Sequence, residues 1–533
     1  VTINNQNHLG NTVINGGTLT VGSFANAIGT DCGSLGDINK SITICNGATL
    51  STNVSAVTCG QSVYIGASDG QISVPTNATL TMAKAILANG GTTLTKTGNG
   101  TLTLGSGNTI SKLIVASGIV NSVEANNLVQ LPSTVELQNA TLWDPGSEGS
   151  YTTNASNFVI ADGKTAYIYA KPRCEYTGSV SGAGKLYLYA TGARGYYKGD
   201  WTHFTGTLVP GYKKRGTYDP SFDFTSSNGL PNATLLLNSG ITFNATNTIE
   251  IGTVSGSGIL AGSGKYILGN NGKDVFLTAS ATAPIIKRGT GTMRLTTAGN
   301  ITGGVTVEEG SLFFNDTQLS TAFFGTNTVQ ATGTSKIVGR GLITTMIMND
   351  GTTLEVRSMY SESTPGTLKT NASLSMLKGS TLVMVVKSNT SYSQLQPTFF
   401  TMNGTLKINL ASDYQPAVGD SFNLWTVTRS FSGTPIYDLP TLPDGMYWDV
   451  SGLAAASGVL KITNDPAAGI GNLSADTEVD CEVFTLGGSK VATLNTEKGK
   501  VAQAVRNQGL NAGTYLVKMR GSNHVEMQKV LVR

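Results

Sequence analysis

Charge is scarce in this chain. Asp, Glu, Lys and Arg make up 13% of its 533 residues, about half the roughly 25% of an ordinary globular protein. Runs rich in Ala, Leu, Glu and Lys are nearly absent as well, which argues against a helical fold. No apolar run approaches the roughly 18 residues of a membrane-spanning helix. The five cysteines, Cys32, Cys45, Cys59, Cys174 and Cys481, contain no Cys-x-x-Cys pair, which argues against a zinc site. The first three leave two readings open, one disulfide or small buried thiols. The 32 acidic residues include no Asp-Asp pair and no acidic calcium loop. No P-loop or H-E-x-x-H occurs, and the Gly-x-Gly triplets lie inside turns rather than before a helix, so no cofactor or metal is expected. The formal net charge of +3 over so long a chain gives no warrant for a nucleic-acid partner.

What the chain has instead is 66 glycines with abundant Thr, Ser and Asn. Gly and Asn supply positive-φ turn positions and Thr favours the pleated strand, so the class is all-β. Residues 94–121 read LTKTGNGTLTLGSGNTISKLIVASGIVN, and residues 285–315 read IIKRGTGTMRLTTAGNITGGVTVEEGSLFFN. The shared markers are Lys96, Gly98, Gly100, Leu102, Leu104 and Asn108, against Lys287, Gly289, Gly291, Met293, Leu295 and Asn300, with a further Gly in each copy. Looser variants fall at Thr12–Ser23, Ser181–Ala190 and Ile249–Gly269.

One such unit cannot bury its apolar face, so neighbours must stack and share a core. A propeller would show a blade signature at a fixed period of about 40–50 residues. None is present, which favours a parallel β-helix with coils of roughly 20–25 residues and a rod on the order of 100 Å. Near residue 464 the character changes: NDPAAGIGN (Asn464–Asn472) is a linker, and the remainder has denser charge and a clear strand rhythm. The expected organisation is a β-helix over 1–463, a linker over 464–472, and a small β-sandwich over 473–533.

The quoted repeats resemble the autotransporter-associated β-strand repeat, with its Lys-x-Gly-x-Gly-Thr-Leu-x-Leu core. Stretches such as GSTLVMVV, MNGTLKINL, YQPAVGDSFNLW and DGMYWDVSGL, within residues 331–463, look like the segment that ends such passenger domains. The resemblance implies a right-handed parallel β-helix exported to the cell surface. A self-transporting member would end in a membrane β-barrel of many strands, and only about 70 residues follow here. They resemble the C-terminal sorting domain of type IX secretion substrates, an Ig-like β-sandwich, through Val483, Phe484, Leu486, Gly488, Val491 and Ala492. The most specific run is Leu510, Asn511, Ala512, Gly513, Tyr515, Val517 and Lys518. This resemblance implies the type IX machinery as a partner and the extracellular outer surface of a Gram-negative bacterium as the location. The first residues already read as strands and turns, which predicts that a targeting segment has been removed.

Carboxylate clusters, the mark of polysaccharide-cleaving β-helices, are missing, and no catalytic residue is assigned. Asp200 and His203 have the spacing of a base and its orienter, but no nucleophile accompanies them. The best ligand-contact candidate is aromatic and basic: Tyr187, Tyr189, Arg194, Tyr196, Tyr197, Trp201, Lys213 and Arg215, among Lys198, Tyr212, Lys214 and Tyr218. Such faces stack on sugar rings while cations pair with carboxylates; the alternative is a cross-strand aromatic ladder. Trp448 is expected to seal the end of the core. The strand pattern beginning at Val1 leaves two readings, a missing upstream cap or head-to-tail stacking of copies into a homopolymer. The sequence reading is therefore a non-catalytic structural or adhesive surface protein, with glycan binding or polysaccharide cleavage as alternatives.

Overall fold

The computed structural model describes residues 1–3, 10–24, 35–144, 151–191, 194–212, 221–224, 229–295, 301–315, 319, 321–465, 478–520 and 525–532. These form two compact units, Val1–Phe313 with Phe323–Val329, and Phe314–Ala322 with Gln330–Arg533.

In the first unit, short strands with alternating buried positions pair in parallel with strands one coil away. The register aligns their buried positions into columns: Leu19, Leu50, Ile72, Lys96, Val115, Leu137 and Ile160. Each of these but Lys96 is aliphatic, and all are buried. The steps Leu50 to Ile72 to Lys96, and Val115 to Leu137 to Ile160, have the expected coil length of roughly 20–25 residues. A corresponding column runs Leu230, Ile251, Leu268, Lys287 and Val307. This is a parallel β-helix, because a parallel strand needs a returning connection and here the return is made by further strands of the same coil.

Two lysines therefore stand where the columns call for an aliphatic side chain. Lys96 Nζ donates to the carbonyl oxygens of Gly98, of Gly100 at 2.7 Å, and of Ser117 at 2.9 Å. Lys287 Nζ repeats this with Arg288 at 2.8 Å, Gly289 at 2.5 Å and Glu309 at 3.3 Å. Gly98 and Gly289, with φ of 73° and 75°, turn the chain so that carbonyls face the ammonium. Gly118 and Gly310 occupy the next coil, where a Cβ would run into the same carbonyls and ammonium.

Part of the interior is aromatic. Tyr176, Tyr197 and Phe224 lie in register on successive coils, with ring centroids 5.4 and 5.1 Å apart. Phe243 continues the stack 4.7 Å beyond Phe224.

In the second unit, Lys336–Met348 pairs in parallel with Thr353–Val356 and Thr367–Met376, and Thr367–Met376 pairs in turn with Gln394–Met402. Pairing then turns antiparallel: Ser421–Thr426 joins Ser457–Thr463, which joins Tyr447–Gly452. Trp425 and Trp448 are buried here, their Nε1 atoms donating to Ala455 O at 3.0 Å and Pro440 O at 2.8 Å. Trp448 thus packs as expected among core residues, its ring 6.2 Å from Phe422.

The C-terminal segment is strand-rich, in keeping with the all-β class. Its described residues form one four-stranded antiparallel sheet, ordered Lys490–Glu497, Glu478–Thr485, Gly513–Arg520, Val525–Val532. The short helix Val501–Arg506 supplies the opposing layer, burying Val501 and Val505 against Val479, Val483, Val517 and Val530. The linker from 466 onward lies outside the described residues.

Candidate functional site

The aromatic-basic segment divides when folded. Lys185–Ala190 alternates, placing Leu186 and Leu188 inside and Tyr187 and Tyr189 outside. Its parallel neighbour Thr165–Ala170 has the same pattern, so Tyr167 lies beside Tyr187 and Tyr169 beside Tyr189. Their ring centroids are 4.9 Å apart in both pairs, at 11° and 18° between planes. Trp143 joins Tyr169 from the preceding coil at 4.7 Å. The result is an outer ladder of five aromatic residues. Lys185 Nζ lies 4.9 Å from the Tyr187 ring centre, within cation–π range. Burial, then the neighbouring tyrosines, raise the Tyr189 hydroxyl above its ordinary pKa.

The ladder ends where Gly211 succeeds Tyr189. A Cβ at Gly211 would meet the Tyr189 ring at 2.7 Å, so that ring lies over bare backbone. Within the ladder, both faces of the Tyr189 ring are thus engaged. What the ladder offers outward is ring edges, hydroxyls and one ammonium.

Tyr197 and Trp201 do not belong to that surface. Both are buried, and Trp201 packs edge-on against Phe224 at 5.3 Å. The alternation of Arg194–Tyr197 sends Tyr197 inward and Tyr196 outward, opposite Glu175 and Asp223. Arg194 lies in this strand, its side chain outside the described ones, and Lys213, Lys214, Arg215 and Tyr218 lie outside the described residues. Lys198 is spent on Glu175 at 2.6 Å.

The Asp200–His203 pair is an exposed turn contact. The two groups are 3.7 Å apart with His203 78% exposed. Asp200 Oδ1 accepts the Thr202 N–H at 2.8 Å and its hydroxyl at 2.7 Å. Those bonds hold the carboxyl below its ordinary range, which weakens it as a base.

Two constellations escaped the sequence reading. Gly66, Ala67, Ser68, Asp69 and Gly70 have the G-x-S-x-G spacing of a nucleophile elbow. The fold makes them a strand-to-strand turn, with Ser68 and Asp69 at positive φ, not the strand-to-helix elbow that exposes a nucleophile. Asp69 instead accepts the N–H groups of Thr92 and Thr93 at 3.0 and 2.8 Å.

The second is a buried polar group drawn from successive coils. Asp144 accepts hydrogen bonds from Ser122 at 2.7 Å and Tyr176 at 3.0 Å. Burial raises its pKa against the pull of those two bonds. Lys171, fully enclosed, pairs with Glu124 nearby. Cys174 adjoins, its thiol pushed up to about 12 chiefly by burial, which keeps it unreactive. No local motif announces this group, since Ser122 and Glu124, Asp144, and the stretch Lys171–Tyr176 come from three separate points along the coils. Cys45, Cys59 and Cys481 are free thiols too, and Cys32 lies outside the described residues.

In the C-terminal sheet the Leu-Asn-Ala-Gly-Thr-Tyr run is part of the architecture. Leu510 packs on the core, and Tyr515, nearly buried, donates its hydroxyl to Asn511 O at 2.9 Å. Gly513 opens the strand that carries Lys518 opposite Glu482. No helix among the described residues is long and apolar enough to cross a membrane.

Residues 464–533 match a protein family described as a secretion system C-terminal sorting domain. No curated protein matches the chain. The sorting tail implies a secreted or cell-surface protein that engages the type IX machinery.

Proposed function

We propose that this chain is a non-catalytic structural or adhesive protein, displayed at the cell surface by its sorting tail and built from repeats of the autotransporter-associated kind. One observation carries the reading: the repeat motif's most chemically capable residues, Lys96 and Lys287, bind backbone carbonyls across coils rather than facing solvent. The motif is thus explained by holding one coil to the next, and what remains for function is extended surface. Asp200 and His203 lie exposed on a turn, with the Thr202 hydroxyl between them.

Adhesion to other copies or to glycans is the role such a surface serves. The outer ladder of Trp143, Tyr167, Tyr169, Tyr187 and Tyr189 favours the glycan form, because phenol hydroxyls beside Lys185 suit hydroxyl- and carboxylate-bearing polymers. Full-length protein is incubated with immobilised acidic and neutral polysaccharides, and with itself, and bound protein is measured. Retention by either supports an adhesive role. Retention by polysaccharide that survives Tyr187→Ala with Tyr189→Ala rules the ladder out, and no retention by any of them removes the adhesive reading.

A further inference from the structure

We infer that the sorting-domain sheet face opposite its helix is the surface by which the secretion machinery takes hold of this chain, a step that rests on the sorting-domain reading. The argument begins with what is already occupied. Leu510 and Tyr515 of the family-like motif are committed to the core, and the helix covers the face carrying Val479, Val483, Val517 and Val530. A partner must read what is left.

Strand alternation puts Phe484, Leu516 and Leu531 on the other face. Phe484 stands directly opposite Leu516, and Leu531 opposite Thr514, one diagonal step from Leu516. Leu531 is 45% exposed; Phe484 and Leu516 are half-buried. Three large apolar side chains thus adjoin on the outer face of a small domain, where alternation would ordinarily place polar residues.

The surrounding charge narrows the partner. Glu482 is held between Lys490 at 3.2 Å and Arg520 at 3.7 Å. Lys518 lies opposite Glu482, and Lys529 opposite Leu516 is exposed. The charges nearest the apolar centre are thus Lys490, Lys518 and Lys529 with Glu482 among them, while Arg520 further along the face is matched by Asp480 opposite it. The face fits a machinery component presenting an apolar contact with acidic residues around it.

The test compares export of four full-length forms in cells: unaltered, lacking residues 464–533, carrying Phe484→Asp with Leu516→Glu, and carrying Phe484→Leu with Leu516→Met. Surface-exposed protein is measured, and protease resistance of the tail in the retained fraction reports folding. The expected result is loss of export on deletion and with the charged pair, by about tenfold or more, as a charge forced into an apolar contact demands. The apolar pair retains export, and the charged tail stays protease-resistant. Normal export of the charged pair while the deletion is retained overturns this surface and leaves the sorting reading standing. Normal export of the deletion overturns the sorting reading, and the inference with it. If the charged tail is digested, Leu531→Glu alone, on an exposed position, takes its place, and its normal export overturns the surface.

Discussion

The ammonium of Lys96 lies 2.9 Å from the carbonyl oxygen of Ser117, one coil further along the chain. The same lysine binds the carbonyls of Gly98 and Gly100 in its own turn. A charge in an aliphatic column is costly alone, but here three backbone carbonyls share it. The arrangement stitches two coils together through a single side chain.

Replacing Lys96 with Met keeps the volume and removes the donors. The bonds to Gly98, Gly100 and Ser117 are lost, at about 1–3 kcal/mol for each buried carbonyl left without another donor; Gly100 O keeps the Ile119 N–H. Because neighbours couple only locally in a stacked fold, the loss is expected around residues 93–121 rather than throughout. Hydrogen exchange measured by mass spectrometry should show faster exchange there and unchanged rates beyond residue 330. Unchanged protection at 93–121 would remove the stitching role.

Gly118→Ala is expected to weaken the same place. Gly118 has φ of 76°, and a Cβ would collide with Gly98 O, Gly100 O and Lys96 Nζ. The conformational strain adds to the steric cost. Gly163→Ala, at φ of 66° with open space around it, is the control: it carries the strain without the collision. Greater sensitivity to proteolysis for Gly118→Ala than for Gly163→Ala is the expected order.

The two lysines also set a pH dependence. Burial lowers both Lys96 and Lys287 from 10.5 to about 8. Between these values the unfolded chain holds more protons than the folded one, so stability rises with pH. Their contribution is complete above 10.5 and is lost as pH falls through about 8. Local protection of the two turns should therefore grow between these limits, and Lys96→Met should abolish the change at its own turn. A fall in protection over that window in the unaltered protein, absent from Lys96→Met, would contradict the assignment.

Inner and outer aromatics should respond differently. Tyr197→Ala or Trp201→Ala empties part of the buried stack, at a cost of about 3–5 kcal/mol. Tyr187→Ala or Tyr189→Ala removes one rung of the outer ladder, at about 1 kcal/mol. Thermal unfolding or protease resistance separates the pairs, and equal losses would mean the inside and outside assignments are wrong.

How much of this was legible in the sequence follows from where the information resides. The coils were legible because Lys96–Gly98–Gly100 and Lys287–Gly289–Gly291 repeat a local turn, and a turn needs only neighbours in sequence. The sorting tail was legible from its motif. The direction of Tyr197 was not, because a four-residue strand gives too short an alternation to fix its phase, and Trp201 lies beyond that strand, where no alternation applies. Trp143, Tyr167 and Tyr169 were overlooked for a related reason: only register brings them beside Tyr187 and Tyr189. Asp144, Ser122 and Tyr176 meet across coils, with no spacing rule to join them. The helix Val501–Arg506 is too short for its periodicity to stand out from the strands around it.

The most direct test of the account is turnover. Full-length protein recovered from the cell surface or medium is incubated with acidic and neutral polysaccharides, and new reducing ends and unsaturated sugars are followed. The account predicts no product from any of them. Reproducible product formation that purifies with the chain and is lost on replacing Asp200 with Asn would contradict it, and would make this an enzyme on a β-helix scaffold.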